Sequence, residues 1–378
     1  MAPEPAYAHG DQAYEERAYA QEEILRGTGK VIAGLDLPGD DISIDMRWLG
    51  GEGEAGIAEA LETISAGGAV SPQAILEAAL NGFAQGLLAC GKLMVSIMTP
   101  VLLVCMCMHL TGGGEAGLSR PVCTMLTLIP LLLLSIRELD HTRATILDMT
   151  GKMENMLPVL LTLLTALGGN ASSAFLHPVV VTASGSMVFL TREVILRLVM
   201  CTCAVTAVNH LSDRAHLTRM AQLLRSVVCW LLGVSFTVFI GAMSLQGVCS
   251  ASADGIVIRA AKYAVDNFVP VVGGMFSDTM DTLVGCTLIV KNALGVTCVL
   301  VLCGALMGPL MGTLSSVFAL KLCAALLEPV AGGEVIGAIS DFTRILVLFL
   351  ITMLCVGTMY FLLIVQMLLV GNLTVMLR

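Results

Sequence analysis

Lys291 and Asn292 are the residues whose setting most demands a chemical explanation, because they interrupt the apolar run LVGCTLIVKNALGVTCVLVL. At the centre of a helix in hydrocarbon a lysine costs roughly +2.5 to +3.5 kcal/mol, whereas each leucine or valine returns only about 0.3–0.6 kcal/mol. Lys291 is therefore expected to face protein or water. Two roles stay open for it: a pore-lining or gating site together with Asn292, or a structural partner, including a lysine that snorkels from a differently placed span. Further along the same apolar stretch, Gly304, Gly308 and Gly312 form G-x-x-x-G-x-x-x-G. Such a run lets a second helix approach closely, and Pro309 within it offers a bend.

Templates for catalysis fail one by one. Gly86-x4-Gly91-Lys92 copies the spacing of a phosphate-binding loop, but Leu93 stands where Ser or Thr would hold Mg²⁺, and the segment opens an apolar run. Ser184-Gly185-Ser186 lies near His177 without a G-x-S-x-G frame. There is no H-E-x-x-H, and the six histidines form no metal-like cluster. The 13 cysteines all lie at or after Cys90, and Cys105-x-Cys107 and Cys201-x-Cys203 put their thiols on different sides of a helix. They read as polarizable fillers of apolar packing. No enzyme activity, no metal and no cofactor is expected.

The elements that must position Lys291 are membrane spans. Charged residues make up 13% of the chain and mean hydropathy is +0.87, against about 25% charged residues in soluble proteins. The net charge of −9 is unevenly divided: residues 1–84 carry 15 acidic and 4 basic side chains, residues 85–378 carry 14 and 16. Nucleic acid is excluded as a partner, since an acidic tail gains nothing from a phosphate backbone. Two regions follow: an acidic N-terminal region over 1–84, disordered over 1–23 and then forming short helices such as Ala55–Ser65, and a multispanning membrane domain over 85–378. Residues 1–23 contain no basic segment followed by an apolar one, so no signal peptide is expected there. Ser71-Pro72 supplies an N-cap and a first-turn proline for a helix that runs towards the first span.

The apolar segments are Leu87–Leu110, Leu118–Ile136, Met156–Gly168, Ser172–Leu190, Val194–Leu211, Ser226–Val248, Leu283–Met307, Met311–Leu327 and Phe342–Val370. About 20 apolar residues cross the hydrocarbon as a helix, so the sequence predicts an all-α polytopic transmembrane bundle of seven to nine spans. Gly168, Gly169, Asn170, His177 and Pro178 interrupt the segments at 156–190, which makes a helix break or a re-entrant hairpin the alternative there. In Asp254–Phe268, Ile258, Ala261, Val265 and Phe268 recur at helical spacing, with Arg259, Lys262 and Asp266 on another face. That pattern fits an interfacial amphipathic helix, and equally an ordinary connector packed on the bundle. Arg137–Met153 shows a similar, less regular pattern. Arg214, Arg219 and Arg225 mark one basic connector and Arg137, Arg143 and Lys152 another. The positive-inside rule would put both on the cytoplasmic side, but the spans between them forbid it.

Three strings carry a family resemblance: NASSAFLHPVVV at 170–181, the block at 221–296 that begins AQLLRSVVCWLLGVSF and ends LIVKNALGV, and EPVAGGEVIGAI at 328–339. They resemble the stage III sporulation protein AE family of endospore-forming bacteria, in one order over roughly residues 85–378. The resemblance implies a multi-pass component of the mother-cell membrane, required for forespore development. It would act with other proteins of its operon in a secretion-like channel complex between mother cell and forespore. A separate cytoplasmic ATPase and ring-forming proteins would be partners beside the lipid bilayer, and the oligomeric state is left open. The family supplies no catalytic residue to carry over. Two other functions fit the residues: a stand-alone permease for a small solute, and a non-conducting scaffold that recruits the complex.

Overall fold

The computed structural model describes residues 44–45, 54–55, 72–110, 116–166, 170–211, 217–268, 273–331 and 333–376. The tail at 1–23, and the helix proposed over Ala55–Ser65 apart from Ala55 itself, lie outside those residues. A two-residue antiparallel ladder pairs β1 (Ile44–Asp45) with β2 (Glu54–Ala55). All other regular structure among the described residues is helical. The helices are α1 (Pro72–Leu110), α2 (Ala116–Ala166), α3 (Asn170–Phe189), a π-helical turn (Leu190–Ile195), α4 (Leu196–Leu211), α5 (Thr218–Phe268), α6 (Gly273–Leu327) and α7 (Gly333–Met376). Pro72 opens α1 because its missing N–H costs nothing in the first turn.

Among the described residues, five stretches are long and apolar enough to cross a membrane: Leu80–Leu103, His177–Leu211, Thr218–Gly247, Lys291–Leu327 and Gly333–Val370. They match the seven to nine spans read from the sequence only roughly: two pairs of segments merge, and the two segments in α2 are not among the five. Leu283–Met307 and Met311–Leu327 are one helix, α6, which continues through Pro309. Ser172–Leu190 and Val194–Leu211 join through the π-helical turn, which takes up Thr191, Arg192 and Glu193 without ending the helix. Leu118–Ile136 and Met156–Gly168 belong to the two ends of α2, a single helix of 51 residues whose middle is charged.

Of the two alternatives at 156–190, a helix break falls between Ala166 and Asn170. Met156–Ala166 is the end of a long helix, and Asn170 begins the next, which carries His177 and Pro178 inside it. Gly168 and Gly169 lie outside the described residues. Asp254–Phe268 is helical, but it forms the last turns of α5, unbroken from the span before it. The side chains of Arg259, Lys262 and Asp266 lie outside the described ones.

The core is built around α7. Val335, Ile339, Phe342, Leu346, Phe349, Met353, Val356, Tyr360, Leu363, Met367 and Val370 are all buried, at steps that alternate four and three residues. This heptad rhythm gives one seam for knobs-into-holes packing. A second buried row, Ala338, Ile345, Thr352 and Met359, lies beside it, so α7 can pack on several neighbours at once. It contacts α6, α2, α5, α4 and α3. Lipid tails give no hydrophobic drive for helix association, so close approach at small residues matters more. A Cβ on Gly295 would collide with Leu368, one on Gly357 with Leu306 and one on Gly247 with Gln366. These contacts lock α6 and α5 against α7.

Candidate functional site

Lys291 is buried to 1% exposure in α6. Its Nζ donates to the backbone carbonyl of Leu368 at 2.6 Å, eight residues before the end of α7. One turn along, Gly295 admits the Leu368 side chain. The sequence feature most suggestive of a pore thus lies in packed protein, bonded to a backbone carbonyl of the neighbouring helix. Asn292 beside it is half-buried. Of the glycine run, Gly308 is exposed and a Cβ there would meet nothing within 4 Å, while at Gly312 the nearest atom is His141 Cε1 at 3.8 Å. Within the chain the tight approaches are made by other glycines.

The middle of α2 is the region that composition alone conceals. Thr150 Oγ1 and Tyr360 OH lie 2.9 Å apart, which fixes residue 150 beside the C-terminal third of the Gly333–Val370 stretch. Thr313 Oγ1 donates to Glu138 Oε2 at 2.8 Å, and Ser316 Oγ to Glu138 Oε1 at 2.9 Å. These bonds fix residue 138 beside the middle of the Lys291–Leu327 span. The Arg137–Met153 segment is therefore not a connector between spans. It runs alongside them.

The inward face of α2 is continuous: Leu128, Leu131, Ser135, Glu138, Thr142, Thr145, Met149, Met153, Met156, Leu160 and Leu164 are all buried at steps of three or four. Two of its hydroxyls turn back on their own helix, Ser135 to Leu131 O at 3.0 Å and Thr145 to His141 O at 2.9 Å, while the buried Thr142 hydroxyl has no partner. The outward face over the same turns exposes Arg137, Asp140, Arg143, Asp148 and Glu154, while His141, at its edge, reaches towards Gly312. Lys152 pairs with Asp148 at 2.6 Å along this face. Buried periodicity that runs unbroken through a charged segment was the available signal.

A third cluster joins three helix ends. Asp341 Oδ2 faces His210 Nε2 at 3.1 Å. Arg225 donates to Asp341 Oδ1 from both Nη1 and Nη2, at 3.2 Å each, and Arg344 Nη1 reaches the same oxygen at 3.4 Å. His210 closes α4, Arg225 lies in the second turn of α5, and Asp341 sits about two turns into α7. The sequence shows Arg225 only as a topogenic charge. Nothing in it links residues more than a hundred positions apart.

Long apolar helices around a heptad core, with polar groups bonded between spans, define a multispanning helical membrane protein. The sequence profile of the stage III sporulation protein AE family matches residues 56–371, and the chain belongs to that family. It is similar to stage III sporulation protein AE of Bacillus subtilis (strain 168), with 29% identity over 322 residues that cover 84% of this chain and 81% of the relative. No solved structure matches it.

Proposed function

We propose that this chain is a non-catalytic, membrane-embedded subunit of a sporulation-specific channel complex that links mother cell and forespore. It sits in the mother-cell membrane and works with a separate ATPase and ring-forming proteins of the same operon. Family membership supplies the sporulation setting. The observation that carries the subunit role is the charged outward face of α2, which runs alongside the two most apolar spans. One charge at the centre of a lipid-facing helix costs roughly 2.5–3.5 kcal/mol, so several together cost on the order of 10 kcal/mol. Such a face belongs against another protein or against water in a shared conduit. A stand-alone permease would have no use for it on its outside.

The test is purification from membranes of sporulating cells in gentle detergent, with bound proteins identified by mass spectrometry. Recovery of an ATPase and ring-forming proteins, lost when Arg137, Asp140 and Arg143 are changed together to leucine, is the expected result. Purification of the chain alone, from cells that complete sporulation, would overturn the subunit role.

A further inference from the structure

The Asp341 cluster borders a cavity of about 260 Å³, lined by Thr206, Asn209, Gln222, Arg225, Ser340 and Arg344 among others. At about 30 Å³ per water this has room for roughly eight or nine waters. Its chemistry is rich in donors. Arg225 is largely buried, and its Nε has no partner, a costly condition for a charged donor. Asn209 Oδ1 already accepts from Leu217 N at 2.8 Å and Thr218 Oγ1 at 3.3 Å, so its amide N–H₂ is what it can offer a ligand. Gln222 and Ser340 add further donors. Arg344 is 66% exposed and bonds only weakly at 3.4 Å, so it can swing onto an incoming group.

The charge balance favours an anion. Arg225 and Arg344 give two positive charges against the one negative charge of Asp341, before His210 is counted. Asp341 presents little free negative charge: Oδ1 accepts from Arg225 and Arg344, and Oδ2 faces His210. The cavity also lies near the ends of three helices, where lipid headgroups meet protein. Basic pockets between spans at this level suit anionic headgroups.

We infer that this cavity binds a phosphate group, that of an anionic phospholipid headgroup, with Arg344 as the mobile clamp and Arg225 as the fixed one. Planar guanidinium groups give such a site paired donors for phosphate oxygens. The bound lipid would pin α4, α5 and α7 together at one end of the bundle.

The test places the full chain in nanodiscs of phosphatidylcholine doped with phosphatidylglycerol, washes with mild detergent and counts retained lipids by mass spectrometry. The wild type is expected to retain phosphatidylglycerol about fivefold above its bulk ratio, the factor expected of one basic side chain acting on an anionic headgroup. Arg344→Gln should return retention to the bulk ratio while keeping the wild-type melting temperature in discs of phosphatidylcholine alone, and Arg344→Lys should keep most of the enrichment. A second arm titrates inorganic phosphate into discs of phosphatidylcholine alone. Stabilisation of the wild type but not of Arg344→Gln, without lipid enrichment, would assign the same site to a soluble phosphate. Bulk-ratio retention in the wild type with no stabilisation by phosphate, or equal enrichment in Arg344→Gln, would overturn the site.

Discussion

Helix α7 and the middle of α2 bury their inner faces at the same spacing and differ in what those faces carry and, more sharply, in what they expose. Each carries an unbroken row of buried residues at steps of three and four, through Phe342, Leu346 and Phe349 in one and Glu138, Thr142 and Thr145 in the other. On α7 the exposed positions over the middle turns are Ile351, Leu354, Phe361 and Val365, with Thr358 turned back onto its own helix. On α2 the exposed positions over the turns beside these spans include the charged Arg137, Asp140, Arg143 and Asp148 among the apolar Ile136, Ala144 and Leu147. The inner face sets where a helix packs in the bundle; the outer face sets what surrounds the bundle on that side. Here one side suits lipid and the other does not.

Removing the seam of α7 should have the largest effect. Phe349 is fully buried, so Phe349→Ala is expected to cost about 3–5 kcal/mol, seen as a large drop in melting temperature in detergent. If the drop were small, α7 would not be the centre of the bundle. Exchanging the outer faces sharpens the contrast further. Leu354→Arg should reduce membrane-inserted protein through a penalty of about 3 kcal/mol. Arg143→Leu should change bundle stability by less than about 0.5 kcal/mol while weakening partner recovery. Equal effects of the two would erase the distinction between the faces.

Smaller effects test how α7 is held. Gly357→Ala forces a methyl into Leu306 and should cost about 1–3 kcal/mol as overpacking. Gly308→Ala meets open space and should be neutral or stabilising by up to about 1 kcal/mol. The reverse order in thermal unfolding would place the tight approach at the repeated glycines after all. Tyr360→Phe removes the bond to Thr150 and should cost about 1 kcal/mol. In a double-mutant cycle with Thr150→Val most of that energy should appear as coupling.

A helical membrane protein was legible from composition and run length, because hydrocarbon admits little else. Its span count was not, because local breakers look like ends. Pro309 and the Thr191-Arg192-Glu193 triplet each interrupt hydropathy, yet α6 continues through one and a π-helical turn absorbs the other. Lys291 stood out as a cation in an apolar run, but only the fold reveals that a backbone carbonyl receives it. The α2 stripe was half legible. Charge density over Arg137–Met153 suggested a connector, while Glu138, Thr142, Thr145 and Met149 kept the helical rhythm that places it inside the bundle. Asp341, His210 and Arg225 left no trace in the sequence, since only tertiary packing unites them.

The central claim is that the outward face of α2 does not meet lipid. Photocrosslinking from a genetically encoded benzophenone at position 143, with position 354 as the lipid-facing reference, tests it directly in membranes of sporulating cells. Lipid adducts at 354 and none at 143, where the label either captures protein or reacts with nothing, is the predicted result. Lipid adducts at 143 as abundant as those at 354 would contradict it.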